Sequence, residues 1–355
     1  MQKKIIALAI AGLSSAAFAQ SNVTISGLFD AGLLNSKTQV ATGSTNAGYN
    51  GASTSNLTIS ATEDLGGGMK SGVVLETDIR GNNVGGNGVG GFQHYVWIGG
   101  NWGTLSLGQR TNLMTTTLTT VQPFGTAMGG GFGGASAAIT SNRLRGGGAD
   151  AYGAAPTQAD VTGTRDVRPE GTADYRSPTW SGFSFGLQFR PKNADATETT
   201  ASYGYLNVGA NYNNGPLNLT FADSSYTNAA NVAGGSDKID HTALGGNYNF
   251  GPATVYLGWT RSKATIAAAT TTDSRSWNIA LKWAVTPSLS LLANVLRDDD
   301  KRAANVDRTL NALGADYMLS KRTTAYARIT NGDADKSTGA AGSFNQVMAG
   351  LRHTF

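Results

Sequence analysis

The chain has 355 residues, a formal net charge of +4 and no cysteine. Charged residues make up only 14%, against about 25% in typical soluble domains, while 48 residues are glycine. Without cysteine, neither disulfides nor thiolate metal sites stabilise the fold, and without a long block of lysine and arginine, nucleic acid is not an expected partner.

The first residues have the pattern of a secretory signal peptide. Two lysines precede an apolar run at 5–13, and the sequence Ala-Phe-Ala at 17–19 fits the small-x-small cleavage rule. The apolar run is too short to span the roughly 30 Å of a bilayer core. We therefore predict a signal peptide over 1–19 and a mature chain over 20–355, whose 25 basic and 23 acidic residues leave a net charge of about +2.

Beyond the signal peptide, apolar and polar residues alternate along most of the chain. In the segment SWNIALKWAV, for example, Trp277, Ile279 and Leu281 alternate with Asn278 and Ala280. A period of two places the two sets on opposite faces of a β-strand. The pattern predicts sixteen strands, at 22–33, 54–64, 69–80, 91–100, 103–110, 171–178, 183–190, 203–213, 216–226, 240–250, 253–263, 274–285, 288–298, 308–319, 322–331 and 344–355.

Short and long connections alternate between these strands. The short ones, such as DLGGG, NNGP and NFGP, carry the glycine, asparagine and proline of tight hairpins. The long ones are predicted as loops at 34–53, 81–90, 111–170, 191–202, 227–239, 264–273, 299–307 and 332–343. This layout predicts an all-β fold, a sixteen-stranded antiparallel transmembrane β-barrel with short periplasmic turns and long extracellular loops.

A soluble β-sandwich is the alternative, but sixteen strands would normally divide into two domains, and no linker divides this chain. The polar strand faces are rich in Ser, Thr, Asn and Gly, as in a water-filled lumen, and aromatic residues lie near strand ends, as in interfacial girdles. If the last strand pairs with the first, the barrel closes and Phe355 faces outward in a hydrogen-bonded ladder.

Several segments resemble the general-diffusion porins of Gram-negative outer membranes, of the beta-proteobacterial and neisserial type. They are NVTISGLFDAG, ATEDLGGGMKSGVVLE, NWGTLSLGQR, YRSPTWSGFSF, YMLSKRTTAYA and the terminal GLRHTF. The resemblance implies an outer-membrane location, assembly as a homotrimer among membrane lipids, and passive permeation of small hydrophilic solutes and inorganic ions. It also implies a third loop, at about 111–170, that folds into the barrel and narrows the pore.

The chain departs from that family pattern at three lumen positions. Asn56 follows Ser55 where the family has arginine, and Phe92 lies where the fourth strand usually carries arginine. The order Gly-Gln-Arg replaces the more usual Gly-Arg-Gln, which places the basic residue at Arg110. The basic ladder opposite the third loop is therefore expected to be thinner or redistributed.

Charged side chains at the constriction would set ion selectivity. Alternation also directs Asp30, Lys282 and Arg352 into the lumen. Residues 111–149 contain two arginines and no acid, which predicts a wide channel with a weak preference for anions. The alternative is that some arginines pair with carboxylates and anchor the loop. The residues assigned to the pore lining and constriction are Arg80, Arg110, Arg143, Arg145, Arg168, Arg176, Arg190, Glu76, Asp78 and Asp174.

No catalytic, cofactor or metal site is predicted. The GNGVGG segment lies in a loop between strands and offers no helix N-terminus for a pyrophosphate. The three histidines, His94, His241 and His353, have no metal-like spacing. A substrate-selective anion or nutrient channel on the same barrel, a barrel enzyme and a surface adhesin or phage receptor remain as alternatives.

Overall fold

A computed structural model describes residues 22–39, 44–53, 55–79, 92–125, 127–128, 130, 168–191, 203–228, 238–266, 269–301, 307–334 and 343–355. Within these ranges there are seventeen β-strand segments and one α-helix. The predicted signal peptide at 1–19 and three predicted site residues, Arg80, Arg143 and Arg145, lie outside the described residues.

The strands run through nearly all of the described chain. They are β1 (Asn22–Gln39), β2 (Ser44–Asn50), β3 (Asn56–Gly66), β4 (Met69–Asp78), β5 (Gln93–Gly100), β6 (Gly103–Gln109), β7 (Thr172–Arg176), β8 (Phe183–Arg190), β9 (Tyr203–Asn214), β10 (Leu217–Asn228), β11 (Lys238–Asn249), β12 (Ala253–Ile266), β13 (Ala269–Ala284), β14 (Leu289–Asp300), β15 (Arg308–Met318), β16 (Thr323–Ala334) and β17 (Ser343–Thr354). The helix α1 (Leu113–Thr120) lies between β6 and β7.

These segments form one closed antiparallel barrel. From β3 onward each strand pairs with the next along the chain, and β17 pairs with β1. Both β2 and β3 pair with β1, at 32–38 and 22–28 of that strand, so they are two halves of one barrel strand interrupted at 51–55. The closed sixteen-stranded antiparallel barrel predicted from the alternation is therefore confirmed.

The barrel closes at the last residue of the chain. The β1–β17 register runs from Leu28 opposite Thr354 to Gln39 opposite Ser343. Beyond it, Gly27 N donates to Phe355 O at 3.1 Å and Phe355 N donates to Gly27 O at 3.0 Å. No strand edge is left open at this seam, where unpaired backbone groups would face hydrocarbon.

Two predicted loops are wrong because strands continue through them. Residues 34–53 were expected to be a loop, but β1 extends to Gln39 and the chain returns as β2, while residues 264–273 contain the ends of β12 and β13. In both places the alternation of apolar and polar residues fades, since strand ends beyond the membrane meet water on both faces. The backbone pairing continues there, but without an apolar face the sequence shows no strand pattern.

The two faces of the wall differ as alternation requires. Outward side chains form an exposed apolar surface, for example Phe183, Phe185 and Leu187 on β8. Inward side chains on the same strand include Gln188 and Arg190. Among the described residues, no helix has the length and apolar character needed to cross a membrane.

The seam yields a test of barrel closure. A Cβ built on Gly27 would lie 2.5 Å from the Phe355 ring and 2.6 Å from Asn56 O, and the carbonyl belongs to the neighbouring strand and cannot rotate away. Gly27→Val should therefore destabilise the folded barrel by about 1–3 kcal/mol. The measurement is a urea titration in which the folded, heat-modifiable band on a gel disappears at a lower urea concentration. Ala31→Val, on the same outward face of β1, is the control; equal midpoints for both variants would contradict close packing at the seam.

Candidate channel constriction

The chain between β6 and β7 turns into the barrel and begins with α1. The Asn112 side chain caps this helix by accepting a hydrogen bond from Thr115 N at 2.7 Å. A second cap comes from the wall, because Asn207 Oδ1 on β9 accepts from Leu113 N at 2.8 Å and from Met114 N at 3.3 Å. Three of the amide groups that a helix N-terminus leaves unpaired thus have partners.

Apolar side chains attach the rest of this segment to the inner wall. Five buried loop residues pack in one cluster with seven wall residues from β10, β11, β14, β15 and β17. Such apolar inward positions would be costly on an open aqueous lumen, and the loop removes them from water. The loop members are Leu113, Met114, Leu118, Val121 and Phe124, and the wall members are Ala222, Ala243, Leu292, Leu296, Leu310, Ala312 and Phe344.

Glycines on the wall make room for three of these side chains. A Cβ built on Gly245 or Gly258 would lie 2.7 Å and 2.8 Å from the Val121 methyl groups. A Cβ on Gly186 would lie 2.9 Å from Leu113, and one on Gly314 would lie 2.9 Å from Phe124. The absence of side chains at these inward positions therefore forms a shallow track in which the loop lies.

Hydrogen bonds from the wall fix the loop backbone along this track. Asn247 on β11 donates to Thr120 O at 3.1 Å, and Asn278 on β13 donates to Val121 O at 2.8 Å. These bonds satisfy carbonyls at the C-terminal end of α1, where the helix itself supplies no donors.

The loop reaches the seam of the barrel at the interruption between β2 and β3. Met128 N donates to Ala52 O at 2.8 Å. The interruption is itself held by Asp30, whose carboxylate accepts from Ala52 N at 3.0 Å, from Ser53 N at 3.2 Å and from the Tyr326 hydroxyl. From α1 onward, the described part of the loop thus contacts the wall from β8 round to the interruption beside β1, and β4–β7 form the remaining, facing part of the wall.

On that facing wall, one buried carboxylate binds two arginines. Arg110 Nη1 donates to Asp174 Oδ1 at 3.0 Å, while Arg176 donates to both carboxylate oxygens, at 2.8 Å and 2.7 Å. The Asp174 side chain is only 1% exposed, whereas Arg110 and Arg176 keep 25% and 22% exposure. On this part of the wall, the two arginine side chains are therefore partly exposed and the carboxylate between them is buried.

The neighbouring acid is held by amides. Glu76 accepts from Asn56 Nδ2 at 2.6 Å and from Gln93 Nε2, and Gln93 Oε1 accepts from Thr111 N at 2.9 Å. Both of these side-chain donors to Glu76 are thus neutral amides. Glu76 is 6% exposed and contributes little accessible negative charge.

The sequence pattern of Gram-negative porins matches residues 6–337. This chain belongs to the Gram-negative porin family. It is 30% identical to outer membrane porin protein 32 of Delftia acidovorans over the full length of both chains, and 26% identical over both full lengths to the major outer membrane protein P.IB of Neisseria lactamica.

Solved structures agree with this assignment. The anion-selective porin from Comamonas acidovorans superposes with a TM-score of 0.77 at 27% identity, covering 95% of this chain and 100% of that one. OmpT of Vibrio cholerae, at 14% identity and a TM-score of 0.66, shares the fold. This porin is therefore a channel protein of the outer membrane of a Gram-negative bacterium.

The remaining predicted site residues lie apart from the arginine pair. Arg168 stacks over the Phe92 ring at 4.3 Å, just before β7, and Arg190 lies half-buried at the end of β8. The backbone of Asp78 pairs with Asn56 in the ladder. At the periplasmic end, Arg352 lies 3.8 Å from Asp316, and Lys282 is exposed on β13.

Sequence patterns missed two parts of this constriction. Asp30 was expected in the lumen, but nothing in the sequence indicated that it binds Tyr326, a residue 296 positions away. Arg328 was also missed: it pairs with Asp316 and lies 5.4 Å from the Phe124 ring of the loop. Inward-facing glycines in β8, β11, β12 and β15 were the signal for a segment packed against the wall.

The helix cap provides a test of how the loop is held. Asn207→Ala leaves Leu113 N and Met114 N without their acceptor, which costs about 1–3 kcal/mol for buried donors. We expect greater open-channel current noise in planar bilayers and a lower unfolding temperature, because the start of the loop detaches more often.

Asn211→Ala is the matched control, since Asn211 lies on the same face of β9, nearer the periplasmic end. If Asn207→Ala has the same open-channel current noise and the same unfolding temperature as this control, the wall asparagine does not hold the loop.

Proposed function

We propose that this porin is a general diffusion channel for small hydrophilic solutes with a weak preference for anions, set by Arg110 and Arg176. The proposal rests on the unequal exposure of three ion-paired side chains, those of Arg110, Arg176 and Asp174. Both guanidinium groups are in contact with the lumen, while the carboxylate of Asp174 between them is buried. We propose no chemical step and no cofactor.

Charge counting supports the sign of this preference. Two arginines and one carboxylate leave a net charge of +1, and the loop segment at 111–130 on the opposite side has no charged residue. One unit charge about 7 Å from an ion in water contributes about 0.6 kcal/mol, close to RT, so it changes the local ion concentration by a factor of about 3. Salt screening reduces this further, which makes the preference weak.

The likeness to the anion-selective porin from Comamonas acidovorans supports the same sign, because the two chains share 27% identity across nearly their whole length. Arg176 also donates to Thr111 O at 3.1 Å, so it positions the start of the loop as well as presenting charge. Anchoring and selectivity are therefore combined in one side chain.

Reversal potentials in a salt gradient test the assignment. For each charge removed, the double variant Arg110→Gln/Arg176→Gln should lower the local anion concentration and raise the local cation concentration by about three-fold each. The anion-to-cation permeability ratio should therefore fall by up to about nine-fold per charge, and by less at high salt. Asp174→Asn should raise the ratio, because it removes the only carboxylate of the group.

Lys37→Gln/Lys263→Gln is the control, since it removes the same charge from outward positions of β1 and β12. A cation-selective wild-type channel, or an equal shift in this control, would overturn the role given to the two arginines.

We further propose that the porin is exported as a precursor cleaved before Gln20 and assembles as a homotrimer. The signal-like first nineteen residues support the first point, and the family resemblance supports the second. Intact-mass measurement of protein from outer membranes should give a chain beginning at Gln20, and native mass spectrometry in detergent should give three copies. A retained leader or a monomer of full conductance would refute the corresponding point.

A further inference from the structure

The outer face of the β12–β13 hairpin carries an ordered series of cross-strand pairs. Ascending from the periplasmic end, the outward pairs are apolar, and the last of them is Trp259 opposite Trp277. The next pair is Arg261 opposite Arg275, and both arginines are exposed. Two arginines thus face each other directly above two tryptophans on the membrane-facing side of the barrel.

The position of this pair along the barrel places it at the upper membrane boundary. Trp283, opposite Ala253, marks the lower end of the apolar series. At about 3.3 Å per residue and a strand tilt of about 40°, the eight residues from Ala253 to Arg261 rise by about 20 Å. The apolar band of such barrels is about 25 Å tall, so the arginine backbone lies about 5 Å below its upper edge, and the long side chains extend up to the outer-leaflet head groups.

Three acids lie near the arginine pair on the outer face: Asp273 is in the next outward pair, opposite Lys263, and the other two are Asp299 and Asp240. Like charges directly opposite each other destabilise a strand pair. The acid next to Arg275 in the ladder, Asp299, forms an ion pair with Lys301, and on β11 Asp240 forms one with Lys238. Neither Arg261 nor Arg275 takes part in a described ion pair, so an external anion would relieve their repulsion.

A shallow groove of about 330 Å³ lies on the outer surface immediately below the pair. Its sides are the apolar side chains Leu244, Leu257, Trp277 and Ile279, and Gly245 and Gly258 lie in its floor. The absent side chains of these glycines would point inward, where Val121 of the loop lies, so only their backbone contributes to the outer groove. The groove is wide and apolar enough to take part of an acyl chain.

We propose that the β12–β13 hairpin is a binding site for a phosphorylated glycolipid of the outer leaflet. The lipid phosphate lies between Arg261 and Arg275, where planar guanidinium groups donate paired hydrogen bonds to phosphate oxygens. An acyl chain lies in the groove beside Trp259 and Trp277, which have the mixed character of interfacial aromatic residues. The site is independent of the proposed ion selectivity, because it lies on the opposite face of the wall.

Native mass spectrometry of the folded porin in detergent tests the site, with bisphosphorylated lipid A as the probe. We expect the wild type to retain this lipid, and Arg261→Gln/Arg275→Gln to retain at least five-fold less at the same lipid concentration. Monophosphorylated lipid A should be retained less than the bisphosphorylated form, and phosphatidylcholine should not compete.

Lys321→Gln/Arg322→Gln is the control variant, because it removes two exposed basic residues from the turn at the periplasmic end. Its retention should equal that of the wild type. Unchanged retention by Arg261→Gln/Arg275→Gln, or equal retention of phosphatidylcholine, would overturn the proposal. So would loss of subunit assembly in a folded Arg261→Gln/Arg275→Gln variant, which would show that the face binds another copy of the chain.

Discussion

Every backbone N–H and C=O that lies at the depth of the hydrocarbon core needs a hydrogen-bond partner inside the protein, because lipid offers none. A sheet meets this requirement only when its first and last strands pair. In this porin the requirement is met to the final residue, since Phe355 exchanges two backbone hydrogen bonds with Gly27. The closed ladder then determines everything else: a fixed circumference, two chemically distinct faces, and a lumen that would be wide open without a further element.

The described part of the third loop, within 111–130, supplies that element, and its placement follows from packing rather than from charge. Val121 and Phe124 enter spaces left by inward glycines, and the neighbouring carbonyls accept hydrogen bonds from wall asparagines. Because the loop is anchored on the apolar part of the inner wall, the polar part stays open to water. Arg110, at the end of β6, and Arg176, on β7, lie on that open side, where we propose that they influence permeation.

The strands could be predicted from sequence because one face of each meets lipid and the other meets water or the loop. A period of two is then unavoidable, as in the alternation of Trp277, Asn278 and Ile279. The prediction failed where this contrast ends, at the tops of β1, β2, β12 and β13. The constriction was less accessible, because contacts such as Asp30 with Tyr326 or Asn207 with Leu113 join residues far apart in sequence. The alternation predicts which side chains point inward, but it does not identify the residues that they contact.

Arginine has two different roles in this barrel, and the strand parity decides which one applies. Arg176 on β7 points inward, is paired with a buried carboxylate and presents the remainder of its charge to the lumen. Arg275 on β13 points outward, has a second arginine as its cross-strand neighbour and meets the head-group layer. A shift of one residue in register would exchange the two faces. The backbone ladder that seals the barrel therefore also determines which charged side chains face the lumen and which face the lipid, so the proposed ion preference and the proposed lipid site depend on one register.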